Sequence, residues 1–138
     1  MKKIIFFLIF LFLTGCYHRP AVSINNQDIL VEVVDTFETR AKGLMFREYL
    51  DEHEGMIFIY PKEQSVGFWM KNTLIPLDMI FIDKDFRIVD IHTAQPCKNE
   101  DECIPYGPTE QVQYILEVNA GYAEKNGIKK GDLVTFYL

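Results

Sequence analysis

Arg47, Trp69, Asn72 and Asp78 are the residues whose types and spacing suit a binding site. Asn72, Thr73 and Asp78 surround Pro76 and lie next to Trp69 and Met70. An aromatic floor with a few convergent polar groups is the usual make-up of a small-molecule pocket. Arg47 would add a planar guanidinium able to clamp a carboxylate or phosphate through two parallel hydrogen bonds. The same residues also suit a structural role. Asp78 and Asn72 can tie down the 73–76 loop through backbone amides, and Arg47 can pair with Asp78 or with an acid of the 48–54 stretch. Both readings stay open at this level.

Other chemistry has less to work with. Met45, Met56, Met70 and Met79 offer soft thioethers of the kind that hold Cu(I), and His53 and His92 could add imidazole. Met56 and Met70 fall on strand faces rich in Phe and Ile, where core filling is the simpler account. There is no Met-x-x-Met or His-rich tract, so neither a metal nor another cofactor is expected. Ser23 and Ser65 lack a glycine elbow, and no Ser-His-Asp arrangement is suggested. Asp78, Asp83, Asp90 and Glu117 on or near strands leave a paired-carboxylate hydrolase open; exposed acids on an acidic domain are the simpler reading.

The amino terminus bears on compartment. Met1-Lys2-Lys3 is a basic start, and residues 4–13 carry no polar side chain. A ten-residue helix rises about 15 Å, half of a ~30 Å hydrocarbon core, so this segment reads as a signal and not as a span. Leu13-Thr14-Gly15-Cys16 resembles the lipobox of bacterial lipoproteins. That resemblance implies cleavage before Cys16 and a diacylglycerol on its sulfur. Tyr17, in place of Asp, points to the outer membrane if the host is Gram-negative. Domain limits follow: signal 1–15, polar tether 16–27, one globular domain 28–138.

Within an oxidising compartment Cys97 and Cys103 read as a disulfide closing a short acidic loop. The net charge is −6, and loss of the signal with Lys2 and Lys3, which holds no acid, makes it −8. This balance disfavours nucleic acid as a partner. The 14% of aromatic residues argues against disorder.

The elements that must position the candidate residues are short. Residues 29–34 are β-branched and read as a first strand, and Asp35 or Thr36 can cap a short helix ending near Gly43. Residues 55–60, stopped by Pro61, predict a second strand. Residues 65–71 predict a third, with Val66, Phe68 and Met70 on one face and Trp69 on the other. Residues 77–82 are apolar on both faces apart from Asp78 and predict a central strand. Residues 86–92 return from a turn at 83–85, with Asp85 as the left-handed residue. Val112, Tyr114, Leu116 and Val118 alternate with Gln111, Gln113, Ile115 and Glu117, the cleanest period-2 pattern in the chain. A helical turn closed by Gly127 and a last strand at 133–137 complete the domain. The sum is an α+β, mainly antiparallel, barrel-like domain of about seven strands and two short helices.

Four clusters then stand out: Gly43-Leu44-Met45-Phe46-Arg47; Gly55-Met56-Ile57-Phe58; Phe68-Trp69-Met70-Lys71-Asn72-Thr73 with Pro76-Leu77-Asp78; and Leu116-Glu117-Val118-Asn119-Ala120-Gly121 with Gly127-Ile128 and Gly131-Asp132. In this order they resemble the bacterial and archaeal family called domain of unknown function 192, over about residues 29–136. The segments at Pro96-Cys97 and Cys103-Ile104-Pro105-Tyr106 resemble its exported members. The resemblance implies a small β-rich domain and no particular activity. Gly131-Asp132 is expected to form a structural turn.

The functional expectation is a lipid-anchored, extracytoplasmic binding or accessory module in the cell envelope, without catalysis of its own. It would hold a small molecule or a protein segment near Trp69, Asn72 and Asp78. One alternative is an envelope enzyme acting on a carbohydrate or peptidoglycan fragment through Asp78 and Arg47. Another is a copper-handling lipoprotein using its Met residues.

Overall fold

Seven β-branched or aromatic segments pair into one sheet. The strands are β1 (Ala21–Ile24), β2 (Gln27–Val34), β3 (Glu54–Gln64), β4 (Leu77–Ile82), β5 (Ile88–Ala94), β6 (Val112–Asn119) and β7 (Val134–Tyr137). The computed structural model describes residues 19–97 and 99–138. The expected signal, and with it Cys16, lies outside the described residues. The sheet order is β5-β4-β6-β3-β2-β1-β7, and every pair is antiparallel except β2 with β3. Helix α1 (Phe37–Lys42) lies in the connection between those parallel strands, and α2 (Tyr122–Lys125) follows β6. This is the small, mainly antiparallel α+β domain that the alternation predicts.

The sheet curls until its two end strands meet. Arg87 and Leu133 form a bridge, Ile88 N–H donates to Asp132 O at 3.0 Å, and Val134 N–H donates to Phe86 O at 2.9 Å. Period-2 alternation then divides the side chains into two layers. Val22, Ile24, Ile29, Ile57, Ile80, Ile82, Leu116 and Val118 fill the inside, with Tyr122, Ala123 and Ile128 packed against them. Met56, Phe58, Met79, Phe81 and Ile115 point the other way. That outer face is covered by Leu44, Leu50, Met70 and the partly buried Val66, Phe68 and Tyr106. Long connections thus roof one face of the sheet, and the candidate site lies under that roof.

Four local expectations change. The expected tether gives way at Ala21, because β1 is a barrel strand with Val22 and Ile24 fully buried. Asn25 and Asn26 both take positive φ and make the tight hairpin to β2. Residues 65–71 are not a strand; a single bridge, Phe68 with Tyr106, holds them. Their alternation survives, with Met70 buried and Trp69 outward. Pro61 does not stop β3, which runs to Gln64 through a register irregularity between Ile59 and Gln64. In the 83–87 turn the positive φ falls on Phe86 and not on Asp85. The Asp83 carboxylate accepts from the amides of both Asp85 and Arg87, at 2.9 and 2.8 Å, and the Phe86 ring stacks on Tyr114.

Candidate functional site

Glu117 lies on β6 with its side chain on the roofed face. Its cross-strand neighbours are Met56 on β3 and Met79 on β4, so it stands amid thioethers. Only 5% of the residue is exposed. No described residue donates a hydrogen bond to its carboxyl or forms an ion pair with it. Burial alone pushes this group up to about 8, so at pH 7 the acid is mostly neutral.

The carboxyl lines a cavity of about 490 Å³, within the size range of small-molecule sites, roughly 300–1,000 Å³. Aromatic walls come from Phe58 and Tyr60 on β3, Phe37 on α1, and Phe68 and Trp69 on the 65–76 connection. Gln64, Thr73, Arg40 and Lys42 add polar atoms.

Local sequence explains each wall. Thr36 caps α1, its hydroxyl accepting from the Thr39 amide and its own amide donating to the Thr39 hydroxyl. Gly43 ends the helix at φ 47°, where a Cβ would press the Phe58 ring at 3.2 Å. Arg40 donates to the carbonyls of Asp35 and Ile59 and stacks over Tyr60, 4.6 Å from the ring centroid. Its Nη1 thereby helps to hold the wall. The register irregularity in β3 carries Tyr60, Pro61 and Gln64 to the cavity edge. Phe68 meets Phe58 edge-on at 4.9 Å and exchanges two hydrogen bonds with Tyr106, at 2.6 and 2.7 Å. Gly55 lets β3 approach β6 closely: a Cβ there would lie 2.6 Å from the Glu117 carbonyl oxygen. Trp69 is 47% exposed, with Lys71 over its ring at 5.1 Å, so its indole lies where the cavity opens.

The four expected site residues do not converge. Trp69 lines the cavity. Arg47 lies outside it and forms a two-pronged ion pair with Glu32, which holds the Glu32 carboxyl below its usual range and the guanidinium above its own. Asn72 is exposed, at φ 56°, and its backbone carbonyl accepts from the Phe46 amide at 2.7 Å. Asp78 is buried with both oxygens engaged: Thr93 Oγ1 donates to Oδ1 at 2.7 Å and Ala123 N–H to Oδ2 at 2.9 Å. It ties β4 to β5 and to α2. The alternative of a reacting pair of Asp78 and Arg47 therefore has no shared pocket.

Glu117 is the residue that sequence reasoning placed wrongly, among exposed acids. The signal was an acid inside the apolar run Tyr114-Ile115-Leu116-Glu117-Val118. Asp83 and Asp90 do lie away from the cavity; Asp90 pairs with His92 at 3.0 Å. Cys97 and Cys103 form a disulfide with Cα atoms 5.3 Å apart. Met56, Met70 and Met79 are buried together on the roofed face, while Met45 lines the cavity. Among the described residues no group of three or more His, Cys, Asp or Glu side chains gathers. Asp132 accepts from the Lys129 amide and from Asn25, which holds its carboxyl below the usual range and makes Gly131-Asp132 a structural turn.

Known proteins share this framework. A UPF0127 protein of Pyrococcus horikoshii is 32% identical over 112 residues, 78% of this chain and 87% of that one. A UPF0127 protein of Thermococcus gammatolerans is 30% identical over 77% of this chain and 65% of its own length. Two crystal structures superpose well. One is a protein of unknown function from Novosphingobium aromaticivorans, with TM-score 0.75 and 37% identity, covering 84% of this chain and 82% of that one. The other is a Sinorhizobium meliloti 1021 protein described, only provisionally, as a transcription regulator; its TM-score is 0.76 at 34% identity, covering 86% of this chain and 92% of that one. The family model described as "Uncharacterized ACR" matches residues 21–136, so β1 lies inside the match. Each of the four clusters on which the resemblance rests places a side chain in the cavity wall: Leu44 and Met45, Phe58, Trp69, and Glu117. From β1 to β7 this chain belongs to the domain of unknown function 192, or UPF0127, family.

Proposed function

We propose that this protein is a binding module that seats a small molecule in the cavity beside Trp69 and performs no chemistry of its own. The observation that carries this reading is the Glu117 carboxyl. The carboxyl takes no hydrogen bond from a described residue and opens onto a roomy cavity walled by aromatics. An occupant with hydroxyl or amide groups can pair with it there. Arg47 and Asp78 are engaged elsewhere, which removes support from the enzyme alternative. The buried Met residues suit packing better than Cu(I) transfer. The lipobox-like Leu13-Thr14-Gly15-Cys16 supports placing the module at an extracytoplasmic membrane face, tethered through Cys16, by the outer membrane in a Gram-negative host. The provisional regulator description of the Sinorhizobium protein fits poorly here, since the net charge of −6 disfavours nucleic acid.

The test is native mass spectrometry of the full chain, purified without refolding from cells that make it. A retained small molecule, lost in Trp69→Ala, is expected. Absence of any bound mass, together with no effect of cell extract on Trp69 emission, would sink the reading.

A further inference from the structure

We infer that the occupant is an uncharged pyranose sugar, with its apolar ring face on Trp69 and its hydroxyls on Glu117. The inference rests on the binding reading above and narrows it by chemistry.

The walls disfavour the other broad ligand classes. An acyl chain would fill the aromatic cavity but leave the Glu117 carboxyl buried and still unpaired. An organic cation would meet Arg40 and Lys42, both on α1 and both lining the cavity. It would also have to draw the proton off Glu117, whose burial pushes the carboxyl up to about 8, or be met by a neutral acid. An anion would find Arg40 Nη1 already donating to the Asp35 and Ile59 carbonyls, and would have to leave water for aromatic walls with only Lys42 and the remaining guanidinium N–H groups to meet its charge. The walls fit best a neutral molecule with a flat apolar face and several hydroxyls.

The polar groups match that shape. Glu117, Gln64 and Thr73 come from β6, β3 and the 65–76 connection, three separate directions. A neutral carboxyl both donates and accepts, as does a primary amide or a hydroxyl, so the set can pair with hydroxyls placed around a ring. Trp69, half exposed where the cavity opens, offers a flat face for the C–H side of the sugar. The volume of about 490 Å³ leaves room for a mono- or disaccharide.

The titratable and charged groups that face the cavity are Arg40 and Lys42 from α1, Tyr60 from β3 and Glu117 itself. The β4 neighbour of Glu117 is the uncharged Met79. Sugar binding should therefore weaken as pH rises through about 8, where the acid loses its proton.

The experiment titrates the full chain with methyl glucoside, methyl N-acetylglucosaminide and a disaccharide, and with tetramethylammonium and octanoate as counter-probes. Emission of Trp69, the single tryptophan, and ligand-observed NMR report binding; circular dichroism confirms that each variant is folded. Saturable sugar binding is expected, weakened roughly tenfold or more in Trp69→Ala and weakened likewise in Glu117→Leu, which offers the hydroxyls no hydrogen bond. Saturation by tetramethylammonium or octanoate but by no sugar overturns the sugar inference and leaves the binding reading standing. Undiminished sugar binding in a folded Glu117→Leu overturns the placement of the hydroxyls on Glu117. If no probe saturates the site and the purified chain retains no small molecule, both readings fall together.

Discussion

The Asp78 carboxylate accepts the backbone N–H of Ala123 at 2.9 Å, across 45 residues of sequence. Its other oxygen accepts from Thr93 Oγ1 at 2.7 Å. One buried acid thus joins a β-hairpin to the helical turn that packs against the barrel interior. Asp78→Ala should leave two groups without their acceptor and cost about 2–4 kcal/mol. Asp78→Asn should cost less, because an amide can accept from Ala123 N–H and donate to the Thr93 hydroxyl. Urea midpoints measure both. If the proposed ligand binds the folded Asn variant as it binds the wild type, Asp78 acts through the fold and not on a ligand.

Phe68 and Trp69 are neighbours with opposite duties. Phe68 packs edge-on against Phe58 and Phe81, whereas Trp69 faces outward. Phe68→Ala should lose about 3 kcal/mol. Trp69→Ala should lose about 1 kcal/mol or less and cost the cavity its wall. Equal losses for the two variants would place Trp69 in the core and remove it from the site.

Glu117 makes stability fall with rising pH. Its folded value of about 8 exceeds the ordinary 4.5, so between these values the folded state binds more protons than the unfolded. Stability therefore declines from about pH 4.5 to pH 8. Binding one extra proton in the folded state changes stability by ~1.4 kcal/mol for every pH unit crossed, which makes the whole decline a few kcal/mol. Glu117→Gln should flatten this slope and raise Tm above pH 8. An unchanged slope would show that Glu117 is ionised in the folded protein.

The disulfide steadies the cavity at second hand. Cys97–Cys103 closes a short loop that leads to Tyr106, whose backbone pairs with Phe68. Reduction should destabilise by about 2 kcal/mol in the chain-entropy model and shift Trp69 emission to the red. A Tm change with no spectral change would uncouple the loop from the 65–76 wall.

Anchoring rests on Cys16. Cys16→Ser should release the protein from membranes or block its processing. Unaltered membrane fractionation, with no loss of incorporated lipid label, would refute a lipidated Cys16.

Strand periodicity and turn chemistry are local properties, and the sequence alone determined the elements that depend on them. The alternation of 112–118, the apolar run of 77–82, the Thr36 cap and the Gly131-Asp132 turn all appear where their residues demand. Even the outward face of Trp69 follows from alternation, though its segment pairs through one bridge only. What depends on chain segments far away could not be read locally. Alternation assigns Glu117 and Leu116 to opposite faces of β6, but not which of those faces is covered. Glu117 is buried because α1 and the 65–76 connection, more than 40 residues upstream, roof the face that a simple half-exposed sheet would give to water. For the same reason Ala21–Ile24 read as tether: four residues bury themselves only when β2 and β7 are present on either side to pair with them. Arg47, Asn72 and Asp78 are close to Trp69 in sequence or motif, yet Asn72 is exposed, and Arg47 and Asp78 each have another partner. The tertiary structure decided which acid was left without one.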